Sequence, residues 1–284
     1  MAAMEERIIV SGGDGVRVFM PPEREPLQQI RLEGAGALCA RKECVFCASD
    51  WGNTVWRLDA QTLVPTGLFA GGPDMRRLLL SADGARLLIL CAEADSVLLL
   101  DAASGAPLVL TRAGVNPQNM ALDESGEVLA VAAGESGEVL LLSARSLALL
   151  RRLPMPGIVF DVLLHAGAVH ALCLNEALNS TLVTVPRVGA RQMLALTGMP
   201  GRMARENGCI VCATEGFLHA VSMDGTRLIG TRQVPGRASS WMTHGPTLLV
   251  CDALSERIFV RNGGGQWSLF CACARDMQPF FGGR

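Results

Sequence analysis

Residues Pro73–Leu110 read PDMRRLLLSADGARLLILCAEADSVLLLDAASGAPLVL, and residues Asn116–Leu153 read NPQNMALDESGEVLAVAAGESGEVLLLSARSLALLRRL. Each stretch holds four short apolar runs. The separators Ala82-Asp83-Gly84, Ala103-Ser104-Gly105, Glu124-Ser125-Gly126 and Glu135-Ser136-Gly137 are small, polar and end in glycine. Tight hairpin turns require this composition, because the chain must visit positive φ there. Strand, turn, strand, turn is the content of one four-stranded antiparallel sheet. A helical reading of LLILCAEADSVLLLD fails, because its apolar runs are too short between turns and the 3.6-residue spacing is not sustained.

Working outward, a looser copy starts at Ile158, and further copies run Cys39–Phe69, Arg202–Val234 and Ser239–Phe270. Their spacing of about 35 to 44 residues suits propeller blades and exceeds most solenoid repeats. The ends are incomplete in a complementary way. Three strands are expected near Arg7–Val10, Gly15–Met20 and Leu27–Leu32, and one extra strand near Met277–Phe281. Together they make one blade, which removes the open edge that an unclosed ring would leave. The expectation is therefore all-β: residues 1–284 as a single β-propeller domain of seven four-stranded blades, with N- and C-terminal strands closing one shared blade.

Composition agrees. Half of the 284 residues are hydrophobic and 18% are charged, enough apolar surface for a core and unlike a disordered chain. Net charge is −2, and Lys42 is the lone lysine among 25 basic residues, the rest being scattered arginines paired only at Arg76-Arg77 and Arg151-Arg152. No basic block follows a phosphate backbone, so nucleic acid is not expected as a partner. The start MAAMEERIIVSGGDG has glutamates where a secretory signal needs a basic start and an apolar run. Apolar stretches such as LLILCA are strand-sized, so no membrane span is expected. The expected location is cytoplasmic, with reduced cysteines.

The segment LLILCAEADSVLLLDAASGAPLVLTRAGVNPQNMALDESGEVLAV resembles the YVTN-type propeller repeat. Asp101, Gly114, Pro117, Ser125-Gly126 and Val128 stand where that repeat has its Asp-initiated turn, Gly-x-x-Pro corner, hairpin and following strand. The likeness is good in the two central blades, while Pro73, Pro156, Pro200 and Pro235 echo the corner proline with displaced spacing. It implies the fold and a kinship with surface-layer-like and lactonase-like propellers, and it transfers no activity.

Cysteine pairs at Cys44/Cys47, Cys209/Cys212 and Cys271/Cys273 invite a metal or redox reading. The repeat supplies another. Aligning the second strand of each blade places Ser11, Cys47, Cys91, Ala132, Cys173, Cys212 and Cys251 at one position, a layer where only a small side chain fits and cysteine acts as a small hydrophobe. Residues three apart also face opposite sides of a strand and do not chelate one ion. Cys271 and Cys273 share a face and are read as core. No metal site and no cofactor are expected. His165 and His244 fall in turn-like contexts, SGGDG at Ser11–Gly15 reads as a hairpin turn, and neither a Ser/His/Asp set nor Gly-x-Ser-x-Gly is present.

The binding surface of a propeller is usually its channel mouth, lined by the corner loops and the starts of the innermost strands. Mapping the corner gives Asp74, Arg76, Asn116, Gln118, Asn119, Asp161, Arg202, Arg205, Ser240, Trp241 and Gln278, with Arg237 near the same rim. The favoured function is a non-enzymatic scaffold that binds a protein or small-molecule ligand. The competing one is a channel-mouth enzyme, a lactonase-like hydrolase or lyase holding a divalent ion with Asp74, Asn116, Asn119 and Asp161.

Overall fold

The computed structural model describes residues 7–41, 43–244 and 246–280. They form twenty-seven β-strands in seven antiparallel sheets and, among the described residues, no helix. The expected all-β architecture of seven blades is observed. Contacts divide the chain into two compact units, one of residues 1–78, 104–106 and 239–284 and the other of residues 79–103 and 107–238.

In the first unit, β1 (Arg7–Gly12), β2 (Gly15–Phe19) and β3 (Gln28–Ile30) share a sheet with β27 (Asp276–Phe280). Register runs from Arg7 opposite Phe280 to Ser11 opposite Asp276, so the two ends of the chain complete one blade. Phe281, the last residue of the expected strand, lies outside the described residues. The unit also contains the sheet of β4 (Ala35–Ala40), β5 (Cys44–Ser49), β6 (Thr54–Asp59) and β7 (Pro65–Ala70). Its third sheet has β23 (Ser240–His244), β24 (Thr247–Asp252), β25 (Arg257–Asn262) and β26 (Ser268–Ala272).

The division between units passes through the sheet of β8 (Met75–Leu80), β9 (Arg86–Cys91), β10 (Ser96–Asp101) and β11 (Pro107–Arg112). The second unit continues with β12 (Asn119–Leu122), β13 (Val128–Ala132), β14 (Glu138–Ser143) and β15 (Leu149–Pro154). Then come β16 (Ile158–His165), β17 (Ala168–Leu174), β18 (Ser180–Val185) and β19 (Gln192–Leu196). Its last sheet departs from the template. β20 (Pro200–Glu206) and β22 (Leu228–Arg237) flank one fourteen-residue strand, β21 (Cys209–Ser222). β20 pairs along residues 209–214 of β21 and β22 along residues 215–221, the change falling next to Gly216 at φ +81°. Two strand lengths are thus joined with almost no turn.

Burial peaks at the second strand of a sheet and falls outward from there, and this explains the leucine runs. Second strands are covered on both faces: Leu87, Leu88, Ile89 and Leu90 of β9 are all fully buried. A strand buried on both faces loses polar alternation, which is why LLILC mimics a buried helix. Each such side chain contributes about 2 kcal/mol of hydrophobic stabilisation. Fourth strands such as β11 and β15 are mostly exposed. The aligned small residues Ser11, Cys47, Cys91, Ala132, Cys173, Cys212 and Cys251 are all buried, so the layer is a packing layer. Opposite them on innermost strands stand Asp276, Leu38, Asn119, Val159, Met203 and Ser240 for six of the seven.

The connectors between sheets repeatedly carry a residue at positive φ. In six of them Gly34, Asp74, Asn116, Gly157, Gly198 and Cys273 have positive φ. Asp and Asn tolerate the left-handed region better than other non-glycine residues. Asp74 and Asn116 are therefore accounted for by backbone conformation before any ligand is invoked.

Candidate functional site

In the second unit the mapped residues fall into three local networks. Asn116 is the first. Its backbone N–H donates to Asp95 Oδ1 at 2.8 Å and its Nδ2 to Glu135 Oε1 at 2.9 Å, while its carbonyl accepts from Gln118 Nε2 at 2.8 Å. Asp95 lies in the β9–β10 turn and Glu135 in the β13–β14 turn, so the β11–β12 connector is bonded to the sheets on both of its sides. Gly134 has to be glycine here: at φ +47°, a Cβ on it would lie 1.9 Å from the Asn116 carbonyl oxygen.

Asn119 and Asp161 form the second network, with Asp161 only 1% exposed. Its carboxylate accepts from Asn119 Nδ2 on β12, from Val162 N on its own strand at 2.8 Å, and from Met203 N on β20. One side chain thereby ties three innermost strands. Burial pushes the Asp161 carboxyl up from its ordinary value, opposed by the nearby Arg202 charge and the three N–H donors. Of the four oxygen-bearing residues weighed as ion ligands, this network unites Asn119 and Asp161. Asn116 is bonded to Asp95 and Glu135 instead, and Asp74 belongs to the first unit.

The third network was not read from the sequence. Arg205, near the end of β20, is paired with Glu124 of the β12–β13 turn, and His165 Nδ1 lies 2.7 Å from Glu124 Oε1 and 2.8 Å from the Arg205 guanidinium. That nitrogen donates to Glu124 when protonated and accepts from Arg205 when not. Hydrogen bonds from His165 and Arg205 hold the Glu124 carboxyl below its usual range. Arg237, considered with the arginines of the rim, stacks over Phe160 with its guanidinium carbon 5.1 Å from the ring centre.

In the first unit, Arg76 donates from Nε and its terminal nitrogen to Asp74 Oδ2 at 2.9 and 2.8 Å. Asp276 and Gln278 of β27 face the backbone of β4. Leu38 N donates to Asp276 Oδ2 at 3.0 Å, Ala40 N donates to Gln278 Oε1 at 3.3 Å, and Gln278 Nε2 donates to Leu38 O. This repeats the arrangement of Asp161 and Met203. Ser240 and Trp241 open β23 opposite Cys251 and Val250, and Trp241 is half-buried.

Beside them lies a clasp that the corner mapping did not find. Arg275 donates to Asp50 Oδ2 at 2.7 Å and to Glu256 Oε1 at 2.9 Å. It thereby joins the β5–β6 turn to the β24–β25 turn. Burial raises the Asp50 carboxyl, with Arg275 opposing and Asp74 adding to the rise. Each turn carries a large apolar side chain in solvent: Trp51 and Leu254 are both 77% exposed. Trp51 lies against Gly34, where a Cβ would come within 2.5 Å of the indole.

The cysteines behave as packing residues. Burial pushes the thiols of Cys47, Cys173 and Cys251 up to about 12, and that of Cys212 upward as well. Cys44 and Cys209 are half-buried at the first positions of β5 and β21, and Cys47 and Cys212, further along the same strands, are buried. Cys271 and Cys273 correct the sequence reading. Cys271 is core, but Cys273 follows the end of β26 at φ +56° and is exposed. Among the described residues no three His, Cys, Asp or Glu side chains converge as ion ligands. The side chain of His244 lies outside the described residues.

No family model matches the chain, and none of the curated proteins does. Solved structures match it throughout. A functionally unknown protein from Desulfotomaculum acetoxidans superposes with a TM-score of 0.79 at 12% identity, over 98% of this chain and 100% of that one. A structure described as a putative 6-phosphogluconolactonase from Bacteroides fragilis gives 0.75 at 10% identity, over 98% and 99%. BamB from Moraxella catarrhalis gives 0.63 at 14% identity, over 87% and 78%. At these identities the likeness defines the class: the chain has the seven-bladed β-propeller fold. That fold carries unrelated activities in different proteins.

Proposed function

We propose that this propeller is a non-enzymatic binding scaffold whose contacts are made by the loop face of its first unit, around Trp51 and Leu254. The observation that carries the reading is the Arg275 clasp. It fixes two turns that each hold a large apolar side chain in solvent, flanked by the charges of Asp50, Glu256 and Arg275. A rigid tryptophan amid polar neighbours is the composition of protein-binding hot spots. Two of the polar side chains weighed for catalysis support the same reading, since Asp161 is bonded to backbone N–H groups and Asn116 to neighbouring turns. Kinship with YVTN-type propellers and a cytoplasmic location belong to this proposal.

The test compares affinity-purified partners of the native chain, Trp51→Ala and Leu254→Asp by quantitative mass spectrometry. A protein retained by the native chain and lost with both variants is expected. Equal recovery with all three sinks the loop-face reading. In parallel, thermal shift against calcium, magnesium, zinc and lactones examines the enzyme alternative: a metal-dependent rise lost in Asp74→Ala or Asn116→Ala would put it first.

A further inference from the structure

Among the described residues β22 is the longest outermost strand, at ten residues, whereas β3, β7, β11, β15, β19 and β26 have six or fewer. It pairs with β21 on one side and ends its sheet. Alternate backbone N–H and C=O groups of such a strand point outward, unpaired, as a template for another chain. Leu228 through Gln233 are all exposed. Pro235 comes only after this stretch, so it removes no donor within it.

A cleft of about 150 Å³ lies between this sheet and β19. Leu196, Phe217 and Leu228 form its apolar walls, and His219 with Thr197 and Thr231 forms the other. The imidazole is fully engaged. Nε2 is 3.2 Å from the Thr197 carbonyl, which only accepts, so Nε2 carries the proton; Nδ1 then accepts from Thr231 Oγ1 at 3.0 Å. Burial holds His219 below its ordinary value, so this wall is uncharged at neutral pH. An apolar side chain suits such a cleft.

Strand geometry links the edge to the cleft. Thr231 stands opposite His219 and Gln233 opposite Phe217, so these four share one face of the sheet. A chain added along β22 continues that face, and every second side chain falls beside Thr231 at the mouth of the cleft. Charge selects the chain. Arg227 and Arg232 lie on this edge, β19 and β22 contain no acidic residue, and among the described residues no ion pair engages either arginine.

We propose that the outer edge of β22 binds an extended acidic segment of a partner protein as an added strand, with one apolar side chain of that segment in the cleft beside His219. Main-chain bonds supply affinity and the cleft supplies specificity, as in other strand-addition complexes. The site shares no residue with the loop face around Trp51, so failure of that reading leaves this one standing.

The probe is the labelled peptide Glu-Val-Glu-Phe-Glu-Val-Glu, titrated with the full chain by fluorescence anisotropy. Saturable binding is expected, weakened at least about tenfold by Arg232→Glu and by Ala195→Trp, which blocks the mouth from an exposed position. The lysine counterpart and a peptide N-methylated at alternate amides should not bind. Amide NMR shifts confined to Leu228–Gln233 and the cleft are a readout that needs no variant. Absence of saturable binding, binding that survives N-methylation, or shifts elsewhere would overturn the proposal. So would saturation of the cleft by free indole with no peptide binding, which would assign it to a small aromatic ligand.

Discussion

Asp161 on β16 accepts a hydrogen bond from the backbone N–H of Met203, 42 residues further along the chain. The separation is one repeat, so the bond joins equivalent strands of successive sheets. Removing the carboxylate leaves this N–H and the Asn119 amide buried without their acceptor. Asp161→Ala is expected to lower stability by about 3 to 5 kcal/mol, the range for breaking a buried charged network. Urea unfolding measures it. A loss under about 1 kcal/mol would mean the carboxylate is not what ties β12, β16 and β20.

The counterpart at the chain ends predicts the effect of truncation. β27 makes β1 an interior strand, buries Met277, and places Asp276 and Gln278 against the backbone of β4. Deleting Arg275–Arg284 exposes the apolar edge of β1 and removes the Arg275 clasp. The expected loss exceeds about 5 kcal/mol, hence a fall in melting temperature of more than about 10 °C for a chain of this size. An unchanged melting temperature would show that the terminal blade is not held by its last strand.

These two contacts mark the boundary of what the sequence discloses. Hairpins are local, so their glycine-bearing turns and the small residue of each second strand are visible in one repeat and recur in the others. Asp161–Met203, Arg275–Asp50 and Glu124–His165–Arg205 join residues from different repeats. Nothing within either repeat distinguishes Asp161 from a solvated loop end. Repeat alignment did place Asp74 and Asn116 in the connectors, but their residue types answer to positive φ. The β20–β22 sheet blurs because residues 214–217 replace a polar turn with nearly continuous strand.

Thiol reactivity should follow burial. Cys47, Cys173 and Cys251 are held as neutral thiols by values near 12, and Cys91, Cys212 and Cys271 are likewise buried. Ellman's reagent at pH 8 should modify Cys273 first, then half-buried Cys44 and Cys209, and the remainder only on unfolding. Cys273→Ser should abolish the fast phase. Rapid modification of the second-strand cysteines in the native protein would contradict their packing role.

His170 predicts the response to acid. It is fully buried on β17 with Nδ1 2.9 Å from Thr184 Oγ1, and Nε2 has no partner. Burial holds it down to about 4, from an ordinary 6.5. Above pH 6.5 both folded and unfolded chains keep the ring neutral, so the group imposes no penalty there. As pH falls from 6.5 towards 4 the unfolded chain takes up a proton that the folded chain refuses, and stability drops. A shift of this size corresponds to about 3 kcal/mol at its limit, reached below both values. Urea titrations at pH 7.5 and pH 4.5 should show most of that loss in the native chain and markedly less in His170→Gln. His219, lowered for the same reason, contributes in the same direction. If His170→Gln retained the full acid sensitivity, the proton uptake would have to be assigned to another group.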